Sequence, residues 1–434
     1  MQAGTFRGGL ASTAANGANE EAVRLFLNRK ISFLQIGELV MQAMEHQPDA
    51  QVASVEDILS ADQAAREFVR HMVVQVIVIV QVLLVIIAVL LFGFIIFIHE
   101  FGHFMTAKLS GIRVNEFAIG MGPTLFRFQK GETTYALRLL PIGGFCAMEG
   151  EDEDSDDEGA FNNKPVWKRI LVVVMGAVMN IILGLALMMI LLVQQPAFSS
   201  TTIGEFQEGA ATQAAGLQVG DTFTKVDGYK VTTDRDLSFA LATANPDAVE
   251  IEVLRDGQTL TFSDVKFHTK DNDGTKVLML DFYVNPIPKN VGTLITKSFQ
   301  DTVSTVRMVW YSLAGLVTGK FGLNDMAGPV GAASAIGEVA SQGLQQSFGT
   351  AINNILYMMM IITVNLGVVN LLPFPALDGG RLVFLLVEAV RRKPVNPKYE
   401  GWVNAAGFVL LMCLMVVITF SDILRLVTGK GIGA

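Results

Sequence analysis

Apolar residues in this 434-residue chain gather in blocks, and the blocks differ in length and rhythm. A helix needs about 20 predominantly apolar residues to cross the hydrocarbon core of a bilayer. Met72 to Ile98, Ile170 to Val193 and Trp402 to Phe420 meet that length without one charged side chain. Ile355 to Leu372 is shorter and carries Asn365 and Asn370, but it is also read as spanning, which gives four membrane helices. Between the second of these blocks and the block at Ile355 the rhythm changes to alternation. VEIEVLRDGQTLTF places apolar residues at every second position about Asp256-Gly257, the pattern of a β-hairpin. From about Ser298 the spacing becomes helical again, as in an amphipathic helix lying at an interface, with a break at Gly328 to Gly331.

Composition supports this reading: 51% of the residues are apolar and only 17% charged, too few polar groups for an ordinary soluble protein. The formal charge of −9 says little about partners, because Glu151 to Glu158 (EDEDSDDE) is one acidic run, read as a solvated loop. Two cysteines, Cys146 and Cys413, make no disulfide framework. Lys and Arg mark the cytoplasmic side of a span. They crowd the loop after the first span (Lys108, Arg113, Arg127, Lys130, Arg138, Lys164, Lys168, Arg169) and the one before the last (Arg381, Arg391, Arg392, Lys393, Lys398). None lies between Gln194 and Gly220 or between Ser341 and Leu356. The alternating segment is therefore expected outside the cytoplasm.

At the end of the first apolar block, directly after Ile98, stands HEFGH, residues 99 to 103. On a helix, His99 and His103 fall one turn apart on one face, where both imidazoles can bind one metal ion, with Glu100 placed to work on the metal's water. The chain has only five histidines, and ionisable groups are costly inside a membrane helix unless they serve a site. A catalytic zinc wants a third protein ligand. Glu116 and Glu132 follow closely but without a helical frame, while Asp378 ends the broken apolar run NLLPFPALDGG. Asp378-Gly379 is equally well read as a plain turn.

Taken together, H-E-x-x-H in a first span and N-x-x-P-x-P-x-L-D-G in a later one resemble the site-2 protease family of intramembrane zinc metalloproteases, in its regulator of sigma-E protease branch. The resemblance runs from Met72 to about Leu426 and includes G-G-F-x-x-M at Gly143 to Met148. It implies zinc held by His99, His103 and Asp378, Glu100 as catalytic base, and Asn370 positioning substrate or stabilising the oxyanion. It further implies a membrane-associated β-hairpin that pairs with an unwound substrate as an extended strand. Tyr135 to Gly150 is expected to form that hairpin as two short strands about Pro141 to Gly144, with Gly143, Gly144 and Phe145 meeting the substrate. Asn180 in the second span is either a helix-packing residue or a substrate contact.

Glu208 to Val231 (EGAATQAAGLQVGDTFTKVDGYKV) resembles a PDZ domain, a fold that adds a peptide strand or chain terminus to a sheet edge. The expected whole is a polytopic α-helical membrane protein with about four transmembrane helices. It holds a membrane core at 72–198, one inserted extracytoplasmic PDZ, mainly β, domain at 199–282, a connector with amphipathic helices at 283–354, and the last two spans at 355–434. Its place is the cytoplasmic membrane of a cell, with the site near the cytoplasmic face. Its partners are single-span membrane proteins, such as an anti-sigma factor or remnant signal peptides, and lipid, with no nucleic acid. Residues 1–71 stand apart. Gly8 to Ile36 resembles the C-terminal helical region of 1-deoxy-D-xylulose 5-phosphate reductoisomerase, without that enzyme's dinucleotide fingerprint or metal carboxylates, so Met72 is the expected functional start. A zinc-binding scaffold and a metal transporter are the competing functional classes. The transporter is disfavoured because the ionisable residues cluster at one depth.

Overall fold

The computed structural model of the chain describes residues 10–28, 30–46, 54–151, 153, 155–272, 275–322 and 326–428. It divides into two compact units, Met1–Ala88 with Ala340–Phe348, and Val89–Val339 with Gly349–Ala434.

In the first unit, helix α1 (Ala11–Leu27), helix α2 (Phe33–His46) and the start of helix α3 (Val55–Leu109) share a core of small side chains. Ala14, Ala18 and Ala22 recur one turn apart and are buried with Ala43, Ala65 and Val69, so the helices can approach closely. Glu21 is buried among them. Arg70 and Arg24 hydrogen-bond its carboxylate and hold its pKa down to about 2.

Among the described residues, four helices are long and apolar enough to cross a membrane, as the sequence pattern predicts: Ile86–Leu109 at the end of α3, α4 (Val166–Leu192), α8 (Phe348–Asn370) and Lys398–Thr428 in α10 (Pro397–Thr428). The protein is thus a multi-pass membrane protein. HEFGH lies inside the first of these stretches rather than at its end, because Phe104, Met105 and Ala107 carry the apolar helix one turn and more past His103.

The expected short hairpin about Pro141 is corrected. Its turn lies at Gly131-Glu132, between the long strands β1 (Val114–Lys130) and β2 (Thr133–Met148), and Pro141 to Gly144 falls within β2. Repeated register shifts fold the two strands on themselves. Glu116–Ile119 pairs on one side with Gly144–Ala147 and on the other with Thr134–Leu137, which also pairs with Phe126–Gln129. Gly120, Gly122 and Gly143 take positive φ at the bends, which glycine does without steric cost. The outer half of this ribbon exposes Met121, Leu125, Phe126, Phe128, Leu139 and Leu140, an apolar surface suited to a bilayer.

A β domain follows, spanning a few residues more at each end than expected. Its sheet runs from strand β3 (Ala197–Phe206) to strand β10 (Phe282–Pro288) in the order β10-β3-β4-β6-β7. Here β4 is Thr222–Val226, β6 Val249–Arg255 and β7 Gln258–Val265, and the short β5 (Tyr229–Lys230) pairs with β4. Strands β8 (His268–Asn272) and β9 (Thr275–Met279) form a separate hairpin. The turn expected at Asp256-Gly257 is present, with both residues at positive φ, as the tight β6–β7 hairpin requires. Helix α5 (Asp234–Thr243), begun by a Thr233 capping box, covers one face. The domain core gathers Ile203, Leu217, Phe223, Val226, Ile251 and Val253 among others.

The helix after the domain, α6 (Val291–Thr318), buries polar side chains such as Lys297, Asp301 and Ser304 and leaves Ile295, Phe299, Val303 and Trp310 exposed. Ser304 and Arg307 donate to the fully buried Asp236 of α5 at 2.8 and 2.6 Å, and Lys297 pairs with Asp234 and Asp301. Burial pushes the Asp301 carboxyl up against the pull of Lys297. Helix α7 (Pro329–Gln346) and helix α9 (Asp378–Arg391) complete the fold.

Candidate metal centre

The site is built where α3 crosses α4. A Cβ on Gly102 would stand 2.5 Å from the Met175 carbonyl oxygen, so this glycine lets the two backbones nearly touch. From α4 a row of residues one turn apart, Val172, Gly176 and Asn180, forms the floor beneath the histidines. The Val172 carbonyl lies 2.9 Å from His103 Nδ1 and accepts its proton, which fixes the tautomer and leaves the Nε2 lone pair free. Gly176 leaves room for that ring, since a Cβ there would lie 2.2 Å from His103 Nε2. Asn180, fully buried, places its amide 3.3 Å from His99 Nδ1. Helix α8 closes against the same row: Gly184 meets Val364, Gly367 approaches the Ala177 carbonyl, and Thr363 donates to the Asn180 carbonyl at 3.2 Å.

Helix α8 ends at Asn370, and the proline-broken segment after it returns the chain to the histidines at Asp378. Ala376 takes a positive φ in this turn. Gly379 and Gly380 stand so close to the carbonyls of Leu372 and Phe374 that any Cβ would collide, so both must be glycine. Helix α9, which Asp378 opens, is fastened at two further points. Glu388 receives a bidentate pair from the nearly buried Arg169 of α4, and Arg381 binds Glu151 at the end of the hairpin. Both guanidiniums also lie over the ring of Phe161.

Asp378 Oδ2 thereby comes within 3.0 Å of His99 Nε2 and 3.4 Å of His103 Nε2, while the two Nε2 atoms are 3.3 Å apart. This oxygen is buried and has no hydrogen-bond partner. An orphaned carboxylate oxygen facing two imidazole nitrogens, one of them with its proton committed elsewhere, is a set of lone pairs converging on one point. Ligand atoms about 2.1 Å from a tetrahedral zinc stand about 3.4 Å apart, so the three atoms fit a cation between them. Among the described residues these three form the one group of His, Cys, Asp and Glu side chains placed to hold a metal ion.

The other residues singled out in the sequence fall around this group. Asn370 brings its amide nitrogen to 3.2 Å from His99 Nε2. Glu100 lies on the turn between the histidines, and Gly144 of β2 passes directly over it: a Cβ there would stand 3.1 Å from Glu100 Cγ. Gly143 lies against Met121 at the bend of the ribbon, and Phe145 sits under the Arg138 guanidinium, 4.6 Å from ring centroid to Cζ. Glu116 and Glu132 are not ligands, since both carboxylates are engaged elsewhere. They pair with Arg138 at 2.8 Å and Lys108 at 2.7 Å.

Comparison with known proteins agrees with the geometry. The model of peptidase family M50 matches residues 87–414. The chain belongs to peptidase family M50. A Clostridium perfringens protein provisionally named as a zinc metalloprotease is 39% identical over 341 residues, covering 78% of this chain and 98% of its own. The regulator of sigma-W protease RasP of Bacillus subtilis is 31% identical over 420 residues, covering 78% of this chain and 97% of its own, and the zinc metalloprotease RasP of Bacillus licheniformis is 31% identical with 78% and 98% covered. Residues 2–68 match a different model, the C-terminal domain of DXP reductoisomerase. The M50 chain is a metallopeptidase, with an N-terminal segment of separate kinship.

Proposed function

We propose that this M50 metallopeptidase cleaves peptide bonds inside the transmembrane segments of single-span membrane proteins, using zinc held by His99, His103 and Asp378. The observation that carries the reading is the partnerless Asp378 Oδ2 set between the two imidazoles, within helices apolar enough to span a membrane. Zinc, when bound, supplies a Lewis acid that polarises the scissile carbonyl and lowers the pKa of a water molecule. Glu100, one residue from His99, accepts the proton of that water and delivers it to the leaving amine. Asn370, beside His99, donates its amide N–H to the oxygen on which negative charge grows. Asn180 and the Val172 carbonyl orient the two imidazoles from behind.

A helical substrate hides its carbonyls in hydrogen bonds and must be unwound before attack. The Gly143 to Phe145 stretch of β2 offers a strand that passes over Glu100 with no side chain at Gly144 to obstruct an incoming backbone. An unwound substrate pairing with this stretch is delivered to the zinc as an extended chain. Lys and Arg distribution supports a cytoplasmic membrane location, with the hairpin and α9 facing the cytoplasm and the β domain outside. We assign the β domain to the PDZ type. Its Ala-x-x-Ala-Ala-Gly-Leu segment at residues 211–217 lies between β3 and β4, and β10 is a sheet edge. This domain contacts the outer part or terminus of the substrate. Regulators that resemble the targets implied by the RasP name, anti-sigma factors, and signal-peptide remnants fit as substrates.

Glu100→Gln tests the reading. The variant retains zinc at one equivalent, while cleavage of a model single-span substrate in proteoliposomes falls by about 10²- to 10⁴-fold. Cleavage that survives the substitution overturns the mechanism.

A further inference from the structure

Helix α9 carries Asp378 at its first turn and has a second face that the zinc site does not use. At 14 residues it is about 21 Å long, too short to cross the hydrocarbon core, yet it connects two helices that do cross. It is therefore not a further span, and it lies on one side of the membrane that α8 and α10 are read to cross. Its inner face holds Leu382 and Leu385 in the core, and Glu388 on Arg169. Its outer face presents Val383, Leu386, Val387 and Val390, spaced i, i+3, i+4 and i+7, as the wall of a shallow groove, with Val390 85% exposed. At the C-terminal end of that stripe stand Arg391, Arg392 and Lys393, followed by Lys398 at the start of α10. All four are exposed and none forms an ion pair among the described residues. Tyr399 and Trp402 are exposed next to them, the side chains that mark a membrane–water interface.

We infer that α9 is an in-plane helix whose apolar stripe sinks into the cytoplasmic leaflet and whose Arg391-Arg392-Lys393 cluster with Lys398 binds the phosphates of anionic phospholipids, and that this seat holds Asp378 in the zinc site. The charges complement an anionic headgroup, and exposed Tyr399 and Trp402 stand beside them in sequence. Each cation near an anionic surface strengthens attachment about fivefold. Arg169–Glu388 and Arg381–Glu151 fasten the inner face of the helix, and lipid fastens the outer one. Because Asp378 sits on the same rigid helix, lipid binding and zinc binding support each other, as linkage requires.

The inference rests on the proposed zinc site and membrane orientation. Full-length protein loaded with zinc is placed in nanodiscs of phosphatidylcholine alone or with phosphatidylglycerol added, and zinc loss to an excess of chelator is timed. Phosphatidylglycerol is expected to slow zinc loss severalfold in the native chain. The variant Arg391→Gln/Arg392→Gln/Lys393→Gln is expected to match the native rate in phosphatidylcholine and to lose the effect of phosphatidylglycerol. Inorganic phosphate added to phosphatidylcholine nanodiscs is expected to change nothing. In a chain with Trp167→Phe and Trp310→Phe, brominated phosphatidylglycerol is expected to quench Trp402 more than brominated phosphatidylcholine does, and the triple substitution to abolish the difference. Zinc loss indifferent to phosphatidylglycerol, an effect that survives in the triple variant, or an effect reproduced by free phosphate overturns the inference. Absence of bound zinc in every nanodisc instead overturns the metal site on which it rests.

Discussion

Gly176 shows how much of a metal site resides in atoms that are missing. Its α-carbon faces His103, and a single methyl would stand 2.2 Å from the nitrogen that points at Asp378. The ring cannot retreat, because its other nitrogen is held by the Val172 carbonyl and the ring is packed inside the helix pair. Gly176→Ala is therefore expected to displace the imidazole and lower zinc affinity by about 10- to 100-fold or more, the cost typical of disturbing a ligand's supporting contacts. Zinc content after dialysis against a graded chelator checks this, with Gly37→Ala, where a Cβ meets nothing, as the control. At this scale the sequence is readable where side chains carry the chemistry. His99, Glu100 and His103 declare themselves through helical spacing. Asp378 does so only beside the resemblance, because its dipeptide is also an ordinary turn. Gly176 and the Val172 carbonyl leave no such sign, since one contributes room and the other a backbone atom. Only their i, i+4 spacing to Asn180 could have drawn attention to them.

At the scale of elements, the β domain and the ribbon illustrate opposite outcomes. The Asp256-Gly257 turn is legible because positive φ has a small set of preferred residues, and both residues adopt it. The ribbon is not legible in the same way, because Pro141 and Gly143-Gly144 have the composition of a turn, whereas they bend one long strand whose partner, Val114–Lys130, lies upstream. In the domain, Asp221 is a fully buried acid whose worth can be measured. Burial alone would raise its pKa, but the two-point pairing with Arg255 at 2.6 and 2.7 Å and the Gln218 amide outweigh it and hold the carboxyl below its usual range. A depressed pKa in the folded state means stability that is present above the unfolded value of about 3.9 and is lost as pH falls through the folded one. Asp221→Asn is thus expected to destabilise the domain by about 2–4 kcal/mol at neutral pH, leaving Arg255 uncompensated. The difference from the native chain should shrink steadily below about pH 3.9. Thermal unfolding followed through near-ultraviolet signals, at pH 7 and at stepwise lower pH, reads both effects.

For the whole molecule, two independent patterns specify the arrangement, apolar length and the placement of Lys and Arg. Length predicts four spans and four helices among the described residues qualify, although the first is displaced toward the histidines relative to the sequence window. Hydropathy averages over a window and cannot register that α3 continues as one helix from Val55, or that its polar triad is carried within the apolar stretch. Charge adds the direction. Lys108, Arg113, Lys164, Lys168 and Arg169 flank the ribbon, and Arg391, Arg392, Lys393 and Lys398 flank α9, whereas Gln194 to Gly220 has no Lys or Arg at all. Moving the first group across a membrane is opposed by the positive-inside bias, so the proposed topology puts the ribbon and α9 on the cytoplasmic face and the β domain on the other. Two exposed positions test this without touching the site: Asp256 at the β6–β7 turn and Glu158 in the acidic loop. In a chain whose Cys146 and Cys413 are replaced by serine, Asp256→Cys is expected to react with a membrane-impermeant maleimide on intact cells stripped of any outer membrane. Glu158→Cys is expected to react only after the membrane is opened. Because an even number of spans separates the ribbon loop from α9, a cysteine at exposed Lys393 must behave like the one at residue 158. If it instead reacts with that at 256, one of the four helices does not cross, and the shorter α8, with Asn365 and Asn370 in it, is the one to suspect.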